Sequence, residues 1–184
     1  MDIELTSPNW PIVPLSRKVT VVITPGRETE KITELIGALI LRGTLYLMAG
    51  SDWVPAYALT RSIRRQTVHI REVMNGLRLA RAFTCYQMLA LLESAPPDHD
   101  PLLVLDVMNT FFDQDIPLET RSRTFGRCCR HLQRLAVYRP VAVIAQKKLP
   151  LSDFQEFEAQ LAAITDQVVY MEAALERVLQ PALF

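Results

Sequence analysis

Two apolar runs separated by a long helical pattern constrain this chain more than any other feature. Residues 101–146 read PLLVLDVMNTFFDQDIPLETRSRTFGRCCRHLQRLAVYRPVAVIAQ. The first run, residues 102–106, ends in Asp106, and the second, residues 141–146, ends in Gln146. Strand, crossover helix, strand is the pattern of a parallel sheet, because antiparallel strands need only a tight turn. A carboxylate at the C-terminal end of such a strand stands where α/β sheets place their ligands.

The rest of the chain repeats that grammar. Residues 18–24 (KVTVVIT) are a β-branched run expected as a buried first strand, broken by Pro25 and Gly26. Residues 28–41 put Ile32, Leu35, Ile36, Leu39 and Ile40 on one helical face, with Gly43 as the expected C-cap. A second strand is predicted over 44–48. Pro55 opens a helix to about residue 65, and a short helix follows over 68–75. Next come a short strand over 77–80, a helix capped by Thr84 that reaches about residue 93, and a loop over 94–101. Beyond residue 146 the pattern predicts a basic loop, a helix from Ser152 or Asp153 to about 164, a strand over 167–171 and a helical turn over 172–179. Residues 1–17, with Pro11 and Pro14, are expected as an extended lead-in on the outside. Strands alternating with helices make an α/β fold, a three-layer sandwich around a mostly parallel sheet, in one domain over residues 1–184.

Composition narrows the function classes. The 184 residues are 49% apolar with a net charge of zero, which fits a folded globular chain and gives no overall attraction to nucleic acid or anionic membrane. The odd set of Cys85, Cys128 and Cys129 predicts reduced thiols and a cytoplasmic setting, and with His131 it lacks the spacing of a metal site. The lead-in does not read as a signal peptide, and no apolar run approaches the roughly 20 residues a membrane span needs, so no membrane partner is expected. His69, His99 and His131 have no neighbouring nucleophile or acid that suggests catalysis, and Glu156 and Glu158 share no face with a partner acid.

Three segments, in order, carry a resemblance: RAFTCYQ at residues 81–87, LLVLD at 102–106 and VAVIAQ at 141–146. Together they resemble the core of RecA-like recombinase ATPases, within the P-loop NTPase superfamily, over roughly residues 18–172. The resemblance implies that Asp106 is a Walker B acid for Mg²⁺, that Gln146 senses nucleotide, and that ATP is the ligand. The segment after the first strand departs from it. A phosphate loop needs G-x-x-x-x-G-K-[ST], glycines for amide wrapping, a lysine for charge and a hydroxyl for Mg²⁺. With Lys31 in the lysine place, Pro25 and Glu30 stand for the two glycines and Ile32 for the hydroxyl residue, while Glu28 and Glu30 bring negative charge to a polyphosphate site. The second strand, too, ends in Met48, Ala49, Gly50 and Ser51 where a carboxylate is expected. The expectation is therefore a non-catalytic RecA-like domain with a degenerate Walker A, a pseudo-ATPase with no catalytic residues and no bound metal. The alternatives are an ATPase with a rewired nucleotide site built from Lys31, Asp106 and Gln146, and a structural subunit of an oligomer.

A binding role rests first on Arg123, Arg127, Arg130 and Arg134, spaced i, i+4, i+7 and i+11 on one helical face, with Arg121 adding charge at its start. No acid interrupts residues 121–134, whereas solvated faces usually mix signs. Lys147 and Lys148 lie where the resemblance places a DNA loop. A second basic cluster is Arg61, Arg64, Arg65 and Arg71, and Trp53 and Tyr57 are candidates to stack on a base or a partner. The partners expected are DNA, a RecA-like protein or a second copy of this chain.

Overall fold

A computed structural model describes residues 3–4, 14–15, 19–26, 28–51, 54–147, 151–165 and 168–171. Near the start, β1 (Ile3–Glu4) pairs antiparallel with β2 (Pro14–Leu15). The remaining strands are β3 (Val19–Thr24), β4 (Leu45–Ala49), β5 (Leu77–Arg81), β6 (Leu102–Leu105), β7 (Val141–Gln146) and β8 (Val168–Tyr170). They form a single six-stranded sheet in the order β5-β4-β6-β7-β3-β8, with every pairing parallel. The helices are α1 (Thr29–Ile40), α2 (Ala56–Arg64), α3 (Ile70–Asn75), α4 (Cys85–Ser94), α5 (Leu118–Ala136) and α6 (Leu151–Ala162).

The two faces of the sheet bury different residues because strand side chains alternate. Val22, Leu45, Leu47, Leu103, Leu105, Ala142 and Ile144 pack with α1 and α2 through Ile32, Ile36, Leu59 and Ile63. Val21, Ile23, Val104, Val141 and Val143 pack with α4, α5 and α6 through Met88, Phe125, Leu132 and Phe157. Strands β3 and β6 are buried along their whole length for this reason: both of their faces are covered. Connections running toward the β5 edge use α1, α2 and α3, and those running toward the β8 edge use α4, α5 and α6. A single crossover hand requires that segregation.

Local signals place the ends of several elements. Thr84 accepts a hydrogen bond from the Gln87 backbone N–H at 3.2 Å and caps α4. Pro55 precedes α2, as expected. One element departs from the sequence reading. Asp106 does not continue the strand: it takes the left-handed conformation at φ 51°, the only non-glycine residue with positive φ among those described, and leads into a 3₁₀ turn, Val107–Phe111. Aspartate tolerates that conformation better than most residues. The turn drives Phe111 into a cluster with Phe125 (ring centroids 4.9 Å apart) and Phe157 (5.7 Å), and Phe112 packs on Phe157. The expected turn over 172–179 lies outside the described residues.

Candidate functional site

The carboxyl ends of β6, β7 and β3 are adjacent, so Asp106, Gln146 and the β3–α1 connection, with Lys31 just beyond it, share one edge of the sheet. Two switch points fall there, between β4 and β6 and between β7 and β3, because the connections leaving each pair run over opposite faces. Both are tied by the chain itself. Between β4 and β6, the Gly50 N–H donates to Leu105 O at 2.8 Å, and Asn109 Nδ2 donates to Gly50 O at 2.9 Å. Ser51 Oγ makes a long hydrogen bond, 3.4 Å, to Asp106 Oδ2. A Cβ on Gly50 would sit 2.3 Å from Asp106 O, so only glycine fits this close approach. Between β7 and β3, the Lys147 N–H donates to Thr24 O at 2.9 Å. The Gln146 amide lies against Gly26, at 4.0 Å from where a Cβ would be.

The β3–α1 connection is short. Only residues 25–28 separate Thr24 from Thr29, and Pro25 has no N–H to offer. Helix α1 begins two residues before Lys31, so that lysine lies in the first turn of a formed helix. Its Nζ is 3.2 Å from Glu28 Oε2. Thr33, the nearest hydroxyl downstream, donates to Thr29 O at 2.6 Å. Glu28, Ser51 and Asn109 thus join the three expected residues at this edge. Ser51 and Asn109 act across 55 and 59 residues of sequence, a distance no local pattern reports. Asp52 and Trp53 lie outside the described residues.

The arginines of α5 divide into three kinds. Arg121, expected as surface charge, is 6% exposed: its Nη1 donates to Phe111 O and Asp153 Oδ2, both at 2.8 Å, and its Nε to Ile116 O at 2.8 Å. It fastens the 3₁₀ turn and the following loop to α5 and α6. Arg127 pairs with Glu93 at 2.7 Å, and Arg134 donates to Leu92 O and Glu93 O in the last turn of α4. Arg123 and Arg130 remain exposed with no ion pair among the described residues. Lys147 is exposed, and Lys148 lies outside the described residues.

The sheet edge shows what sequence reasoning missed. Among the described residues β5 is an outer strand, hydrogen-bonded to β4 alone, so one row of its backbone groups is open. Leu79 on that strand is 42% exposed, and Phe83 and Tyr86 just after it are 63% and 54% exposed. The RAFTCYQ segment supplies two of these three side chains. Only the strand order reveals that they border an open edge.

At the opposite end of the sheet Arg139 is fully buried. It donates to Pro96 O (3.0 Å) and Asp98 O (3.1 Å), and its guanidinium lies 4.5 Å from the Tyr46 ring centroid. The His99 backbone N–H, then the Tyr46 hydroxyl and Arg139, hold the Asp98 carboxyl below its ordinary value. Burial pushes the Cys129 thiol up to about 12 and that of Cys128 higher still, so both stay protonated. Among the described residues no group of three or more His, Cys, Asp or Glu could hold a metal ion, and no helix is long and apolar enough to cross a membrane. Compared with protein-family models and with curated proteins, the chain matches none.

Proposed function

We propose that this chain is a non-catalytic RecA-like domain, a pseudo-ATPase that serves DNA repair or recombination by binding rather than by hydrolysis. The observation that carries the reading is the β3–α1 segment. Wrapping a phosphate takes several consecutive free amides and an unopposed lysine. Here the connection has four residues, one of them proline, and Lys31 already has a carboxylate at 3.2 Å. Asp106 reaches a serine hydroxyl, and the β4–β6 crevice is tied by backbone bonds. A polyphosphate would have to displace Glu28 and meet Glu30 as well.

The test is an ATP–Mg²⁺ titration followed by thermal unfolding. A ligand that binds only the native state stabilises by RT ln(1 + [L]/Kd), about 2.7 kcal/mol at a hundredfold excess over Kd. The reading expects no displacement of the melting midpoint at millimolar ATP. An upward displacement of several degrees, abolished by Lys31→Ala, would assign a rewired nucleotide site using Lys31, Asp106 and Gln146.

A partner-binding role is favoured by the open edge of β5. An extended segment of a RecA-like partner, or of a second copy of this chain, can add to that edge through main-chain hydrogen bonds and cover Leu79, Phe83 and Tyr86. DNA binding through α5 is left with Arg123 and Arg130 as its exposed, unengaged cations.

A further inference from the structure

A basic surface that the fold leaves open lies on α2, in the connection between β4 and β5. The buried side of α2 is Leu59 and Ile63, which fixes its outward side. Tyr57, Arg61 and Arg64 stand there at i, i+4 and i+7, with Arg65 immediately after the helix. All four side chains are exposed, Tyr57 at 83%. None of the three arginines has an ion pair or hydrogen bond among the described residues, unlike Arg121, Arg127 and Arg134 on α5.

Tyr57 and Arg61 form a ridge between two hollows. The inner one, about 520 Å³, lies between α1 and α2 and includes Glu30 and Glu34 opposite Arg61 and Arg65. The outer one, about 430 Å³, is lined by Ala56, Tyr57, Thr60, Arg61 and Arg64, with no acid among the described residues. The two acids of the inner hollow offset Arg61 and Arg65, whereas the outer one holds arginines alone, so an anionic chain is drawn along the outer side. The i, i+4 spacing sets Tyr57 and Arg61 about 6 Å apart along the helix axis. That is a scale on which a base can stack on the ring while its own phosphate reaches the guanidinium.

We infer that the outer face of α2, through Tyr57, Arg61, Arg64 and Arg65, binds the backbone of a single-stranded nucleic acid, with Tyr57 as a stacking platform. An exposed aromatic beside unengaged arginines is the combination that sequence-tolerant single-strand binding uses. A duplex offers no free base face to Tyr57, so it is the weaker ligand. This surface borders the first turn of α1 through the inner hollow, but it uses none of Lys31, Asp106 and Gln146, so it does not depend on a nucleotide site there.

The experiment is fluorescence anisotropy with a labelled oligothymidylate of about 20 nucleotides, the matching oligouridylate, a duplex of the same length, and poly-glutamate as competitor. The full chain is expected to bind both single strands more tightly than the duplex. Affinity should fall by about 20-fold between 50 and 200 mM salt, as three phosphate contacts on a single strand require. Replacing Arg61, Arg64 and Arg65 together by alanine should lower affinity at least tenfold and flatten the salt dependence. Tyr57→Ala should lower it about fivefold or more. Wild-type affinity in the α2 triple variant, or no binding by the wild type at 50 mM salt, overturns the inference. So does displacement of the strand by poly-glutamate at equal charge concentration, which would give the face to an acidic protein segment. Binding confined to one of the two single strands retains the site and shows which of the two strand chemistries it prefers.

Discussion

Helices α5 and α2 lie on opposite faces of one sheet, and both are rich in arginine, yet the packing treats the two sets differently. On α5, Arg121 is enclosed and Arg127 and Arg134 reach α4, because α5 is flanked by helices on both sides. On α2, Arg61 and Arg64 are exposed, because no helix among the described residues packs on that side. A guanidinium with acceptors already in place serves the fold, and one without them is available to an incoming anion. Helical spacing is the same in both cases. The difference comes from what stands across from each helix.

The comparison breaks most visibly at Arg121. Arg121→Ala leaves the Phe111 and Ile116 carbonyls and the Asp153 carboxylate without their donor in a largely buried place. Unsatisfied buried acceptors of this kind make the expected destabilisation about 3 kcal/mol. It is measured as a lower urea midpoint at unchanged m-value. Arg121→Lys should recover little of it, since an ammonium cannot reach three acceptors in the fork geometry of a guanidinium. A loss below about 0.5 kcal/mol, the range of an ordinary surface substitution, would place Arg121 with the α2 arginines.

Arg134 comes next. Its guanidinium donates to two carbonyls in the last turn of α4, so Arg134→Ala should cost about 1 kcal/mol. Arg127→Ala removes a half-exposed pair with Glu93 and should cost under about 0.5 kcal/mol. The order Arg121, Arg134, Arg127 tests whether burial of the partner, rather than position along the stripe, sets the energetic effect.

This contrast also marks how far the sequence could be read. Strands β3 and β7 are visible because β-branched runs end at Pro25 and at a basic loop, and the cap of α4 is visible because Thr84 lies three residues from Gln87. The parallel sheet follows from strands alternating with helices. The common face of Arg123, Arg127, Arg130 and Arg134 follows from period alone, but nothing in that period says that Glu93, over 30 residues upstream, stands beside it. The same limit hid the tie between Ser51 and Asp106, the burial of Arg121 and the edge position of β5. Each depends on a pairing distant in sequence. Glu28 was legible as an unfavourable charge near a phosphate, because its contact with Lys31 is local.

A smaller, pH-dependent effect distinguishes the α6 side of α5. Hydrogen bonds from Ser122 and then Gln160 hold the Glu156 carboxyl below its ordinary 4.5. A depressed folded-state pKa adds stability above the unfolded value, and that stability disappears as pH falls through the folded one. The difference in unfolding midpoint between the wild type and Glu156→Gln should therefore be present at pH 7 and shrink as pH falls below the ordinary 4.5. Arg61→Ala should show no comparable dependence, since no acid is paired with it among the described residues. A gap that does not shrink on acidification would mean that Glu156 stabilises by packing and not by charge.

The smallest expected effect is the most informative about α2. Arg64→Ala and Arg65→Ala remove side chains that touch no acceptor among the described residues, at the exposed end of a helix whose hold on the sheet is Leu59 and Ile63. Alanine is also the better helix former by a few tenths of a kcal/mol. Two tendencies thus oppose each other, a slight gain in helix propensity and a slight loss of stem packing. The double variant should unfold within about 0.5 kcal/mol of the wild type in urea. A loss of 2 kcal/mol would mean that these arginines hold the fold as Arg121 does, and the distinction between the two helices would fail. If stability is unchanged, any loss of nucleic-acid binding in the same variant belongs to the surface itself and not to a damaged fold.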